Sequence, residues 1–152
     1  MPLGWNEIHQ LEMEESYPAA IEAIEARLRA DPADVEAVIR LGFNLWYAAH
    51  GMDRMQKVLP KEAYATRFME LLGAYRQRLA DNADFCWAFG LGISLFWFEF
   101  PGADEATGEA LLAQARLLDP FYRHLFSMGQ EKIAERFRGR GIFAAYYAVA
   151  DA

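Results

Sequence analysis

Apolar residues recur at helical spacing along most of this chain. Tyr17, Ile21, Ile24 and Leu28 lie three or four positions apart while Glu22, Glu25 and Arg29 fall on the opposite face, which predicts an amphipathic helix. Ser16 serves as its N-cap, and Pro18 sits in the first turn, where a missing N–H breaks no helical bond. The helix stops at Asp31-Pro32, because proline disfavours helical geometry in the residue before it. Glu25 and Arg29 have the spacing of an i,i+4 ion pair. Residues 61–80, entered through Pro60, repeat the design with Tyr64, Phe68, Leu71 or Leu72, Tyr75 and Leu79 on one stripe and Arg67, Glu70 and Arg78 on the polar side. Residues 104–118 start at an Asp104 cap, gather Leu111, Leu112, Ala115 and Leu118, and end at Asp119-Pro120; a helix over about 121–138 uses Tyr122, Phe126, Gly129, Ile133 and Phe137. No segment reads as a strand. The pattern predicts an all-α fold of three stacked antiparallel hairpins, 17–49, 61–99 and 104–138, in one domain. A short helix near 6–15 precedes them, a capping helix at about 142–150 closes them, and 51–60 is the longest connector.

The most apolar stretch, 85–98, changes this picture. It is shorter than the ~20 residues a bilayer crossing requires and follows Asp81 and Asp84, so it reads as a core helix. A helix apolar on every side has to be covered on every side, which puts it at the centre of the fold or on the floor of a groove. The chain also repeats itself. Asp31-Pro32-Ala33-Asp34-Val35 leads to Leu41-Gly42, and Asp81-Asn82-Ala83-Asp84-Phe85 leads at the same distance to Leu91-Gly92, with no gap between the aligned copies; a weaker copy runs from Asp119-Pro120 to Met128-Gly129. This correspondence predicts that Leu41, Leu45, Leu91 and Leu95 are buried. It also predicts that Gly42 and Gly92 lie where two helices touch too closely for a side chain.

On these residues the chain resembles the tetratricopeptide-repeat superfamily, whose units pair two antiparallel helices with a Leu-Gly in the first and a proline near the repeat end. The likeness covers most of 17–138, with copies spaced 50 and about 38 residues apart in place of the family's 34, and with Leu45 and Leu95 where the family usually has an aromatic. The resemblance implies a short solenoid or bundle that binds a peptide or protein on the surface between repeats.

Charge narrows the partners. Residues 1–36 hold nine acids against Arg27 and Arg29, so the whole net charge of -7 lies there, and the remainder balances thirteen acids with thirteen bases. An acidic domain repels a phosphate backbone, which argues against nucleic acid, and no stretch suits a membrane. The early glutamates are either the solvated face of the first helices or a patch for a basic partner. Cys86 is the only cysteine, and Met1-Pro2-Leu3-Gly4-Trp5 has neither the basic nor the apolar segment of a signal peptide; the expectation is a reducing cytoplasm.

Motifs whose spacing carries chemistry are missing: there is no Gly-x-Gly-x-x-Gly, Walker lysine, Gly-x-Ser-x-Gly or His-Glu-x-x-His. His9 with Glu12 and His50 with Asp53 have the i,i+3 spacing of two ligands but no third, His124 reads as a surface or capping residue, and Cys86 as an inert core thiol. No catalytic residue, metal site or cofactor is therefore assigned. Aromatic residues make up 14% of the chain, more than a small core needs, so some should reach the surface; Trp87 or Trp97 near arginines is the candidate contact. With Glu22, Glu25 and Glu36 they form the expected protein-binding residues. In architecture and composition the chain is similar to bacterial immunity proteins and antitoxins that neutralise a partner, here a basic toxin or effector. An adaptor or secretion-type chaperone holding an extended segment stays open beside that reading, as does a helical enzyme or carrier of hydrophobic ligands; the oligomeric state is left undetermined.

Overall fold

A computed structural model describes residues 2–49, 61–124 and 135–136. Their only regular structure is helical, with no strand among the described residues. The elements are α1 (Trp5–Met13), α2 (Tyr17–Ala30), α3 (Val35–Ala49), α4 (Lys61–Tyr75), α5 (Ala83–Phe96), a 3-10 turn (Trp97–Glu99), α6 (Glu105–Leu118) and α7 (Phe121–His124). The connector 51–60, the third copy at Met128-Gly129 and the capping helix at 142–150 lie outside the described residues.

The Asp and Asn residues at the helix starts serve the backbone. Asp34 accepts from the Ala37 N–H at 3.1 Å at the start of α3, Asn82 from Phe85 at 2.9 Å at the start of α5, and Asp104 from Thr107 at 2.8 Å at the start of α6. Each satisfies one of the N–H groups that a helix start leaves open. Ser16 does not act as expected: its side chain makes no cap hydrogen bond, and α2 relies on Pro18 in its first turn.

Successive helices alternate in direction. The tyrosine hydroxyl of Tyr75, at the end of α4, donates to the Pro32 carbonyl just beyond α2 at 2.8 Å, so α2 and α4 run side by side in the same sense. Gly42 faces Phe89 and Trp46 faces Gly92 and Phe96, which sets α5 parallel to α3. Gly108 faces Ser94 while Gly90 faces Leu111 and Leu112, which makes α6 antiparallel to α5. α4 and α5 meet through large side chains, with the Phe68 ring 4.8 Å from Phe89 and 4.5 Å from Phe100.

The all-apolar helix is central. Phe85 to Gly90 and Ile93 are buried between α3, α4, α6 and α7, and Trp87 is fully enclosed, stacked on Tyr122 with ring centroids 4.8 Å apart. Its last turn escapes this cover. Leu41 and Leu45 are buried as expected, but Leu91 is half-buried and Leu95 is 53% exposed, because the two stand one turn apart on the flank of α5 that its neighbours leave open.

Glycine sets the helix crossings, though not at both expected positions. A Cβ on Gly42 would sit 2.4 Å from the Phe89 ring, one on Gly90 2.9 Å from the Leu112 nitrogen, and one on Gly108 2.5 Å from the Ser94 nitrogen. At Gly92 the nearest atom would be a Phe68 ring carbon at 3.4 Å, an ordinary contact, so the close approach assigned to Gly92 belongs to Gly90 and Gly108.

A buried polar cluster pins α1 to α3. Arg40 donates to Glu12 Oε1 through Nη2 at 2.6 Å and Nε at 2.9 Å, and Asn44 Nδ2 donates to Glu12 Oε2 at 2.8 Å. All three side chains are nearly solvent-free, and the Trp5 ring covers the guanidinium at 4.9 Å while also meeting Arg27 at 4.2 Å. No helix among the described residues is long and apolar enough to cross a membrane.

Two outcomes follow for stability. Gly108→Ala forces apart α5 and α6 at backbone and should lose about 1 to 3 kcal/mol, whereas Gly73→Ala, with nothing within 4 Å of the new Cβ, should gain about 1 kcal/mol. Urea denaturation checks both; equal midpoints would remove the crossing assignment. Glu12→Leu leaves the Arg40 charge buried without its counterion and should cost about 3 to 5 kcal/mol, most of it recovered in the Glu12→Leu/Arg40→Met double variant. A double variant no more stable than the single one counts against this account.

Candidate functional site

The acidic face expected on α2 is real but smaller than its sequence suggests. Tyr17, Ala20, Ile21 and Ile24 turn inward, which leaves Glu22 exposed and Glu25 half-buried one turn later. Glu22 has no hydrogen-bond or ion-pair partner among the described residues. Glu25 is bound to Arg67 of α4, and not to Arg29 four residues on in its own helix. Glu36, in the first turn of α3, is half-buried and engaged in contacts of its own. Of the three glutamates, Glu22 alone presents an uncommitted carboxylate.

Glu22 and Glu25 border a notch between α2 and α4 of about 230 Å³, completed by Pro18, Ile21, Tyr64 and Arg67. The two helices run parallel, so the i,i+3 pair Glu22/Glu25 lies along the i,i+3 pair Tyr64/Arg67. Tyr64 is 1% exposed, and its hydroxyl is buried without a hydrogen-bond partner. Burial raises its pKa above the ordinary 10.0, while the Arg67 charge pulls the other way.

The aromatic candidates divide. Trp87 is a correction: it is 0% exposed between α5, α6 and Tyr122, and it cannot meet a partner. Trp97 is 39% exposed on the 3-10 turn, edge-on to Phe98 at 5.8 Å, beside the 65% exposed Phe98 and exposed Leu95. Phe98 and Glu99 border a second notch of about 240 Å³ with Ala49, Glu62 and Ala65. Glu62 and Ala65 occupy the opposite flank of α4 from Tyr64 and Arg67. The structure therefore does not merge the acidic and aromatic candidates into one patch; α4 separates them.

His9, Glu12 and Cys86 do not build a reactive or metal-binding centre. His9 Nδ1 lies 3.8 Å from Glu12 Oε1, but that carboxylate is committed to Arg40 and Asn44. No group of three or more His, Cys, Asp or Glu that could hold a metal gathers among the described residues. Cys86 is buried, its thiol 3.5 Å from the Ala80 carbonyl, and burial pushes its pKa up, against nucleophilic use. His124 is exposed in α7, and His50 and Asp53 lie outside the described residues.

Compared with protein-family models, curated proteins and solved structures, the chain matches none. The site thus rests on its own geometry. Two of its members, Tyr64 and Arg67, were visible in the sequence only as core stripe and polar face; the available signal was that both i,i+3 pairs occur on helices that the repeat makes neighbours.

A hydroxyl buried without a partner is a net loss to the fold. Tyr64→Phe should therefore melt at or above the parent, since the unmet desolvation of a polar group is worth about 1 to 3 kcal/mol. Because the folded pKa is raised, the unfolded chain ionises Tyr64 first: this residue's contribution to stability is intact below pH 10.0 and falls as pH rises beyond it. The Phe variant should lose less in that range, the remaining loss belonging to Tyr17 and Cys86, whose pKa values burial also raises. Thermal melts at pH 8 to 11 decide this; a variant that melts below the parent at neutral pH shows that the hydroxyl is partnered after all.

Proposed function

We propose that this chain is a non-enzymatic protein-binding domain that holds a basic protein partner one to one, in the manner of an immunity protein or antitoxin. The observation that carries the reading is the uncommitted Glu22 carboxylate at the mouth of a notch whose buried Tyr64 hydroxyl is also unmet. The exposed Glu22 carboxylate gains on meeting a donor from outside. The tetratricopeptide-like likeness supports the same class of activity, since α2 lies alongside α4 and α3 alongside α5, the alternation that stacked hairpins produce. A lone buried cysteine fits a reducing cytoplasm.

A second reading, an adaptor or secretion-type chaperone for an extended segment, is favoured by a different observation. Leu95, Trp97 and Phe98 offer apolar surface beside the notch of Ala49, Glu62 and Ala65, and aromatic side chains of this kind anchor peptide contacts. The two readings use opposite flanks of α4, so single substitutions separate them.

The test begins with affinity capture from the native cell and mass spectrometry, followed by rate measurements with the captured protein at two ionic strengths. Peripheral charges govern encounter more than residence. Glu22→Lys should slow association and flatten its salt dependence, with dissociation nearly unchanged and the melting temperature preserved. An unaltered association rate in Glu22→Lys together with a large loss in Phe98→Ala transfers the interface to the aromatic flank. Turnover of a small molecule by the purified chain overturns the non-enzymatic reading.

A further inference from the structure

We propose that the tip of the α5–α6 hairpin docks a basic amphipathic segment of the protein partner, its apolar side chains on Leu95, Trp97 and Phe98 and its lysines or arginines on the surrounding carboxylates. The inference rests on the protein-binding reading above and deepens its second form, giving the held segment a chemistry.

The apolar half of the site is fixed in place. Phe100 is buried and stacks on Phe68, and its N–H closes the 3-10 turn on the Trp97 carbonyl at 3.2 Å. Gly102, at φ 76°, takes the left-handed conformation that leads the chain on towards α6. With Phe100 holding the turn from beneath, Trp97 and Phe98 are left outside, edge to face, beside Leu95. Aromatic side chains already held in this way lose little freedom on contact, which is the property of a binding anchor. The notch of about 240 Å³ next to Phe98 is below the ~300 to 1,000 Å³ of sites for whole small molecules and suits one inserted side chain. Ala49, Ala65 and Phe98 make its wall apolar.

The electrostatic half sets the sign. Charges cancel over residues 37–152 as a whole but not locally: from Leu79 to Ala115 there are six acids and no lysine, arginine or histidine. The antiparallel crossing lays the start of α6 against the end of α5 and so gathers four of the six at the tip. Glu99 follows Phe98 directly, Asp104 and Glu105 open α6, and Glu109 accepts from Ser94, the neighbour of Leu95, at 2.7 Å. All four are exposed. Glu62 and Glu99 border the notch, and Glu62 and Glu105 have no hydrogen-bond or ion-pair partner among the described residues. Such a rim repels nucleic acid, anionic lipid and acidic proteins, and a purely apolar ligand leaves its carboxylates unused. A second copy of this chain meeting tip to tip sets acids against acids. Basic side chains flanking an apolar one satisfy both halves.

The probe is the hexapeptide acetyl-Lys-Lys-Leu-Leu-Lys-Lys-amide, titrated into the isotopically labelled 152-residue chain and followed by amide and Trp97 indole shifts, beside matched peptides with serine for leucine or glutamate for lysine. Saturable shifts should cluster on residues 94–99, 104–109 and 62–65, diminish with salt and be lost with either control. Phe98→Ala should weaken the peptide by about tenfold at an unchanged melting temperature, as removal of an exposed anchor does. Glu99→Lys/Glu105→Lys should weaken it severalfold and flatten the salt dependence. Equal binding of the serine peptide reduces the tip to diffuse charge, equal binding of the glutamate peptide reduces it to an apolar patch, and shifts elsewhere or none remove it. A Phe98-dependent dimer in sedimentation makes a second copy the occupant, and tighter binding to Arg54→Glu/Lys57→Glu gives that place to the chain's own basic residues; each of these outcomes overturns the proposal. The broader reading is judged separately. If the captured partner binds while Phe98→Ala and Glu99→Lys/Glu105→Lys leave both of its rates unchanged, the binding function stands and this docking surface falls.

Discussion

α5 has no polar side, and the rest of the architecture answers to that. A helix from Ala83 to Phe96 with Phe85, Cys86, Trp87, Ala88, Phe89 and Ile93 pointing in every direction has to be walled all round. α3 and α6 provide the close walls, and glycine permits the closeness: Gly42 admits the Phe89 ring, while Gly90 and Gly108 let the α5 and α6 backbones approach one another. α4 closes a third side through Phe68, and Tyr122 of α7 covers Trp87. The exposed aromatic surface at Trp97 and Phe98 is what remains where this enclosure ends.

The fold was largely readable in the sequence because its signals are local. Stripes at three- and four-residue spacing, proline after the helix ends and Asp or Asn at the starts located α2 to α6 within a few residues, and the aligned repeat gave their order. What depended on three dimensions was misassigned. Gly42 and Gly92 occupy one repeat position and both face aromatic rings, yet only Gly42 meets its ring too closely for a Cβ, because the partner of each glycine is chosen by the neighbouring helix and not by its own sequence. Leu95 matches the buried Leu45 by alignment and is nevertheless exposed, since it falls with the half-buried Leu91 on the flank of α5 that no neighbouring helix covers fully.

The site was legible in half. Glu22 and Glu25 followed from charge and helical face, but the separation of Glu25 from Arg67 by 42 residues hid the pairing that leaves Glu22 as the one uncommitted acid of the three. Trp87 was chosen for its residue type, whereas its place at the middle of the apolar helix was the better guide. Glu12 stands in the sequence only among the N-terminal acids and, with His9, as an incomplete ligand pair. Its partners, Arg40 and Asn44, stand at i,i+4 on the buried side of α3, a pattern that sequence alone presents as an anomaly in an apolar face and structure explains as a counterion site for α1.

The alternation of helix directions has a kinetic meaning. α2 meets α3, α3 meets α4 and α5, and α5 meets α6, so every large interface joins segments adjacent or next but one along the chain. Little loop-closure entropy is spent before each contact is rewarded, and helical topologies of such low contact order fold on the microsecond to millisecond scale. The α5–α6 hairpin, joined by eight residues and locked by two glycines at the crossing, contains the most extensive of these interfaces. Its early formation would give the nascent chain an apolar platform on which α3 and α4 could condense, so the same glycines that shape the finished core also order its assembly.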